Sequence, residues 1–75
     1  IIRYEIPYDE VVSINIYDVK GIIVKSLINN NQRAGNGSII WDATNNLGQS
    51  VSAGLYVYTI QVGDFRQSRK MVLVK

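Results

Sequence analysis

The chain contains neither cysteine nor histidine. Without cysteine there is no disulfide and no thiolate metal site, and without histidine no side chain has an unperturbed pKa near neutrality. Triad-type nucleophilic catalysis, zinc hydrolysis and haem ligation all lose their usual residues, so an enzyme is not expected. Proline occurs once, at Pro7, and no run of 18 apolar residues offers a membrane span. No signal peptide opens the sequence. The formal net charge is only +2. Its one dense cationic group, Arg66, Arg69 and Lys70 with Lys75 behind them, is too sparse for a nucleic-acid footprint. No cofactor is implied.

What remains is apolar alternation. The 75 residues are 47% hydrophobic and 19% charged, enough for one small domain and too few for two. Ile2, Tyr4 and Ile6 alternate with Arg3 and Glu5 until Pro7, which cannot donate to a ladder. Val12, Ile14 and Ile16 alternate with Ser13, Asn15 and Tyr17. Asp18-Val19-Lys20-Gly21 then reads as a hairpin loop, with Asp opening the turn and Gly free to take positive φ. The returning strand is Ile22 to Ile28. Asn29 to Gly37 is loop by composition, and the Asn36-Gly37-Ser38 triplet within it matches a glycosylation acceptor pattern only formally. Ile39 and Trp41 share a face, and the final third reads as a long hairpin, Leu55 to Val62 and Phe65 to Val74, turning at Gly63-Asp64. About seven short strands with no room for a crossover helix predict an all-β, immunoglobulin-like antiparallel sandwich.

The segment Trp41-Asp42-Ala43-Thr44-Asn45-Asn46-Leu47-Gly48 concentrates turn chemistry. Trp41 is placed to bury its ring between two sheets. The Asp42 carboxylate can accept backbone N–H bonds from the following loop. Asn46-Leu47-Gly48-Gln49 reads as a tight reversal, and Gln49 to Val51 as a short edge strand. Asp42 with Asn45 and Asn46 is too poor in carboxylates for calcium. Gly54-Leu55-Tyr56 has the form of a tyrosine corner, in which the hydroxyl bonds back to upstream backbone. Tyr56, Tyr58 and Ile60 are assigned to the inward face of their strand.

With these residues in place the chain resembles a known family. The stretch Tyr17-Asp18-Val19-Lys20-Gly21, the pair Trp41-Asp42 with Asn45, Asn46 and Gly48, the run Gly54-Leu55-Tyr56-Val57-Tyr58, and the closing Arg69-Lys70-Met71-Val72-Leu73-Val74-Lys75 occur in the order seen in type A C-terminal sorting domains of type IX secretion. The 41–56 stretch is also similar to the immunoglobulin-like domain of flagellar hook-capping proteins. The sorting-domain resemblance implies an address label for an upstream cargo domain, recognised by a type IX translocon and sortase. The parent protein would then cross the periplasm to the cell surface or the exterior. It assigns recognition to Gly54, Tyr56, Tyr58, Arg69, Lys70 and Met71, and leaves Asp18, Gly21, Trp41, Asp42, Gly48 and Gly63 as turn and core positions. Ala43 stands where relatives more often carry glycine. The Asn-Pro-rich segment that usually precedes the first strand is absent, and because the sequence starts directly in the strand-like run Ile1-Ile2-Arg3-Tyr4, residues 1–75 are read as a piece of a longer secreted protein. Two alternatives stand beside this reading. One is a structural spacer or hook-capping-type appendage domain. The other is a carbohydrate- or protein-binding accessory module using exposed aromatics such as Tyr8 and Tyr17. Weak homodimerisation through strand edges is also compatible with so small a core.

Overall fold

A computed structural model of the chain describes residues 1–74; Lys75, read above as the end of the cationic group, lies outside them. The described residues form six strands and no helix: β1 (Ile2–Ile6), β2 (Glu10–Tyr17), β3 (Ile23–Gln32), β4 (Gly35–Ile39), β5 (Gly54–Val62) and β6 (Phe65–Leu73). They lie in two antiparallel sheets, β1-β4 and β3-β2-β5-β6. This is the all-β sandwich that the alternation predicts, built from six strands.

The missing strand is Gln49 to Val51. That segment makes one isolated bridge, Ser50 to Thr44, and otherwise follows the turn before it. A second departure concerns Asn29 to Gly37. Loop composition there is overridden by pairing: Asn29, Asn30, Asn31 and Gln32 extend β3 opposite Ser13, Val12, Val11 and Glu10. Gly35 to Ile39 form β4 against β1. Low strand propensity for Asn is a preference that a neighbouring strand with the right register readily outweighs. Only Arg33 and Ala34 separate the two strands, and the Ala34 amide donates to Asp9 Oδ1 at 2.8 Å.

The core sits between the sheets. Ile2 and Ile6 come from one side, and Val12, Ile14, Ile16, Tyr56 and Val62 from the other. The three β2 residues are fully buried, as the period of two requires for the central strand of a covered sheet. β3 adjusts to this core with two register shifts, which leave Val24 and Leu27 without opposite partners on β2. Such bulges break strict alternation. Val24, Leu27 and Ile28 thereby all pack against the core.

Turn chemistry sets the hairpins. Asp18 Oδ1 accepts from the Lys20 and Ile22 amides at 2.9 and 3.0 Å, and Asp18 and Ile22 pair through backbone at 3.0 Å. Gly21 occupies φ +84°, a region closed to most side chains. At the other end, Val62 pairs with Phe65 across Gly63-Asp64, with Gly63 at φ +56°. Among the described residues Ala43 is the non-glycine with positive φ, so only the first central residue of this hairpin has it, as in a type II′ turn. A Cβ at Gly63 would approach the Glu10 carboxyl to 3.0 Å.

Candidate functional site

Two assemblies of side chains stand out, one that pins a corner and one that leaves a slot open. The corner is built around Thr44. The Trp41 indole Nε1 donates to the Thr44 carbonyl at 2.8 Å. The Thr44 amide and hydroxyl both donate to Asp42 Oδ1, at 3.2 and 2.5 Å. Chiefly through that hydroxyl, the Asp42 carboxyl is held below its ordinary pKa; desolvation opposes this, while the Thr44 amide and the positive charge of Lys25 add to it. Lys25 Nζ donates to the Asn45 carbonyl at 3.1 Å. The Asn46 amide donates to the Val24 carbonyl, and Asn46 Oδ1 accepts from the Ser26 amide, both at 3.0 Å. The loop is therefore stitched to the outer edge of β3, covering backbone groups that an edge strand otherwise exposes.

Trp41 packs edge-on against Tyr56, with ring centroids 5.1 Å apart and planes at 71°. This T-shaped pair lies at the sandwich margin, and Trp41 is only half-buried. The expectation of a tryptophan sunk between the sheets is corrected in that respect: its N–H must reach Thr44 at the surface. The Tyr56 hydroxyl donates to the Ser52 carbonyl at 2.6 Å, which is the tyrosine corner anticipated for Gly54-Leu55-Tyr56. Asp42, Thr44 and Lys25 form a hydrogen-bonded structural node, and no group of acidic residues here or elsewhere among the described residues is placed to hold a metal ion.

The slot lies on the opposite side of Tyr58. It has a volume of about 580 Å³ and runs between β1 and the β5-β6 hairpin. Its lining falls into two patterns. β1 contributes consecutive residues, Arg3, Tyr4 and Glu5, so that it presents its edge. β5 and β6 contribute alternate residues, Tyr58, Ile60 and Val62 and then Phe65, Gln67 and Arg69, so that they present a face. A two-stranded sheet laid over a four-stranded one leaves this face without a strand above it. Tyr8 closes one end and is exposed. With its amide oriented to suit both groups, Gln67 accepts from Arg69 Nη2 at 2.9 Å and Nε at 3.3 Å, which holds the guanidinium in place.

The recognition residues expected from the sequence are divided by the fold. Tyr58 and Arg69 meet at the slot and are paired across β5 and β6. Tyr56 is buried and engaged at the corner, and Met71 packs against the core. Gly54, at φ +148°, opens β5 opposite Leu73. Lys70 is exposed on β6, next to a smaller depression formed by Ile1, Ile2, Trp41 and Leu73. Asp18, Gly21, Gly48 and Gly63 sit in the turns assigned to them. Sequence reading missed the slot residues Arg3, Tyr4, Phe65 and Gln67 as a group. Their alternation is visible, but nothing in one strand's pattern shows that the opposing sheet stops short.

A family model described as the FlgD Ig-like domain matches residues 4–64, more than half of the chain. The chain belongs to that family. The match ends at Asp64, ahead of β6, so the cationic strand lies beyond it. A crystal structure of FlgD from P. aeruginosa superposes on 95% of this chain with a TM-score of 0.74 and 26% identity. This FlgD Ig-like domain spans 57% of that structure's length. No curated protein matches the chain.

Proposed function

We propose that this FlgD Ig-like domain is a non-catalytic structural module within a larger exported protein, of the kind found in hook-capping appendage proteins. The observation that carries the reading is the FlgD match: one sandwich of this shape occupies little more than half of a longer FlgD chain. The chemistry agrees with it. Asp42, the acid whose pKa is shifted, is engaged with Thr44 and Lys25 in fastening a loop. The test is deletion of residues 1–75 from the parent gene in its own host, followed by electron microscopy of surface appendages. Unfinished appendages with the hook components shed into the medium are the expected result. Intact appendages would overturn the hook-capping assignment.

A second reading, a type IX sorting signal for an attached cargo, is favoured by one specific feature. β6 is an outermost strand that carries Arg66, Arg69 and Lys70 with no acidic residue, followed by Met71. Charge steering combined with an apolar anchor suits a docking strand. On this reading the translocon and sortase are the partners, and the protein passes through the periplasm to the surface or the exterior. Fusing residues 1–75 to a periplasmic reporter in a type IX-competent bacterium separates the two. Surface display that is lost when residues 66–75 are removed supports sorting; a reporter retained in the periplasm rejects it.

A further inference from the structure

We infer that the slot between β1 and the β5-β6 face is a strand-acceptor site, which takes an extended acidic-apolar segment of a partner protein as the third strand of the small sheet. The wall of the slot is the unpaired edge of β1, where consecutive residues supply backbone donors and acceptors. The floor is the apolar face of Tyr58, Ile60 and Phe65. Extended peptides bind such edges through main-chain hydrogen bonds and gain specificity from every second side chain. The length suits a segment about as long as β1 itself, on the order of five residues or roughly 17 Å.

Charge selects the occupant. Arg3 and Arg69 line the slot against the single acid Glu5. Gln67 holds Arg69 through two of the five donors of a guanidinium, leaving a fork suited to a carboxylate. A segment with an acidic side chain toward Arg69 and apolar ones toward Ile60 and Phe65 matches this lining.

Topology excludes a folded second copy. Antiparallel pairing of two β1 edges, with Arg3 facing Glu5 of the other copy, is favourable by charge alone. However, Ile2 and Ile6 of each β1 already rest on their own β2 and β5. Both four-stranded sheets would have to fill the same space beneath the joined edge. The occupant must arrive with both of its faces bare.

The inference rests on the assembly-module reading. Its test is panning of a random-peptide phage library on residues 1–75, followed by amide chemical-shift mapping of the selected peptides. Expected are sequences with Asp or Glu two or four positions from apolar residues, shifting Arg3, Tyr4, Glu5, Tyr58, Ile60 and Arg69. A central proline should abolish binding, and Arg69→Glu should weaken it at least tenfold while selecting basic peptides instead. Three outcomes overturn the inference: no acidic enrichment, shifts confined to another surface, or a dimer in sedimentation equilibrium that blocks β1. Protection of β1 amides by flanking residues of the intact parent would likewise overturn it, by assigning the slot to the same chain. An empty slot in a domain whose deletion still leaves appendages unfinished sinks this inference alone and spares the module reading.

Discussion

Among the described residues, Ala43 is the one whose backbone conformation fits its side chain least. Its φ of +63° places a Cβ-bearing residue in the left-handed region, at a cost of roughly 1–2 kcal/mol for an L-residue. The Val51 amide donates to its carbonyl at 3.0 Å, so the loop enforces the angle. Ala43→Gly is expected to stabilise the domain by about 1 kcal/mol, because relief of strain exceeds the extra freedom given to the unfolded chain. Urea unfolding monitored by Trp41 fluorescence reads this directly. Its neighbour Asp42 makes stability depend on pH. The carboxyl pKa is lower in the folded chain, mainly through the Thr44 hydroxyl. Its contribution is therefore complete above the unfolded pKa and is lost as pH falls through the folded one. Melting temperature followed from pH 7 downward should drop in the acid range, and Asp42→Asn should flatten that part of the profile. An unchanged acid limb in the variant would show that Thr44 does not bind the ionised form.

At the level of elements, one loop design is used twice. Asn45 Oδ1 accepts from the Leu47 and Gln49 amides at 2.9 and 3.0 Å, the Asn45 and Gln49 backbones pair at 2.9 Å, and Gly48 sits at φ +78°. Residue for residue this repeats Asp18 to Ile22. The turn thus begins at Asn45 and closes at Gln49, one residue earlier than Asn46-Leu47-Gly48-Gln49 suggests. Asp18→Ala and Asn45→Ala each remove one oxygen that accepts two amide N–H bonds, and each is expected to cost about 1 kcal/mol. The second should cost more, since the loop that the Asn45 side chain shapes also docks on β3 through Asn46 and Lys25. Equal losses in chemical denaturation would mean that the docking to β3 adds nothing. These loops show what one chain makes legible. Asp18, Gly21, Gly48 and Gly54-Leu55-Tyr56 announce themselves because their geometry is local. The β3 extension through Asn29 to Gln32 does not, because its cause is a partner strand, Glu10 to Ser13, distant in sequence. The slot is harder still to see, since it arises from two sheets of unequal width.

The whole molecule rests on few buried side chains. Val12, Ile14 and Ile16 on β2 are the fully buried large ones, and each lies between sheets that share no hydrogen-bonded strand. Ile14→Ala should cost on the order of 2–5 kcal/mol, comparable with the entire stability of a domain this size. The variant is expected to lose its cooperative thermal transition, whereas Val72→Ala, at an exposed position on β6, should keep it. A cooperative Ile14→Ala variant would place the core elsewhere.

The smaller depression beside Lys70 brings Ile1 and Leu73 to the same patch of surface. The two ends of the described sandwich therefore lie side by side. Joining the two points by a short bridge and opening the chain at an outer turn should preserve the same sandwich.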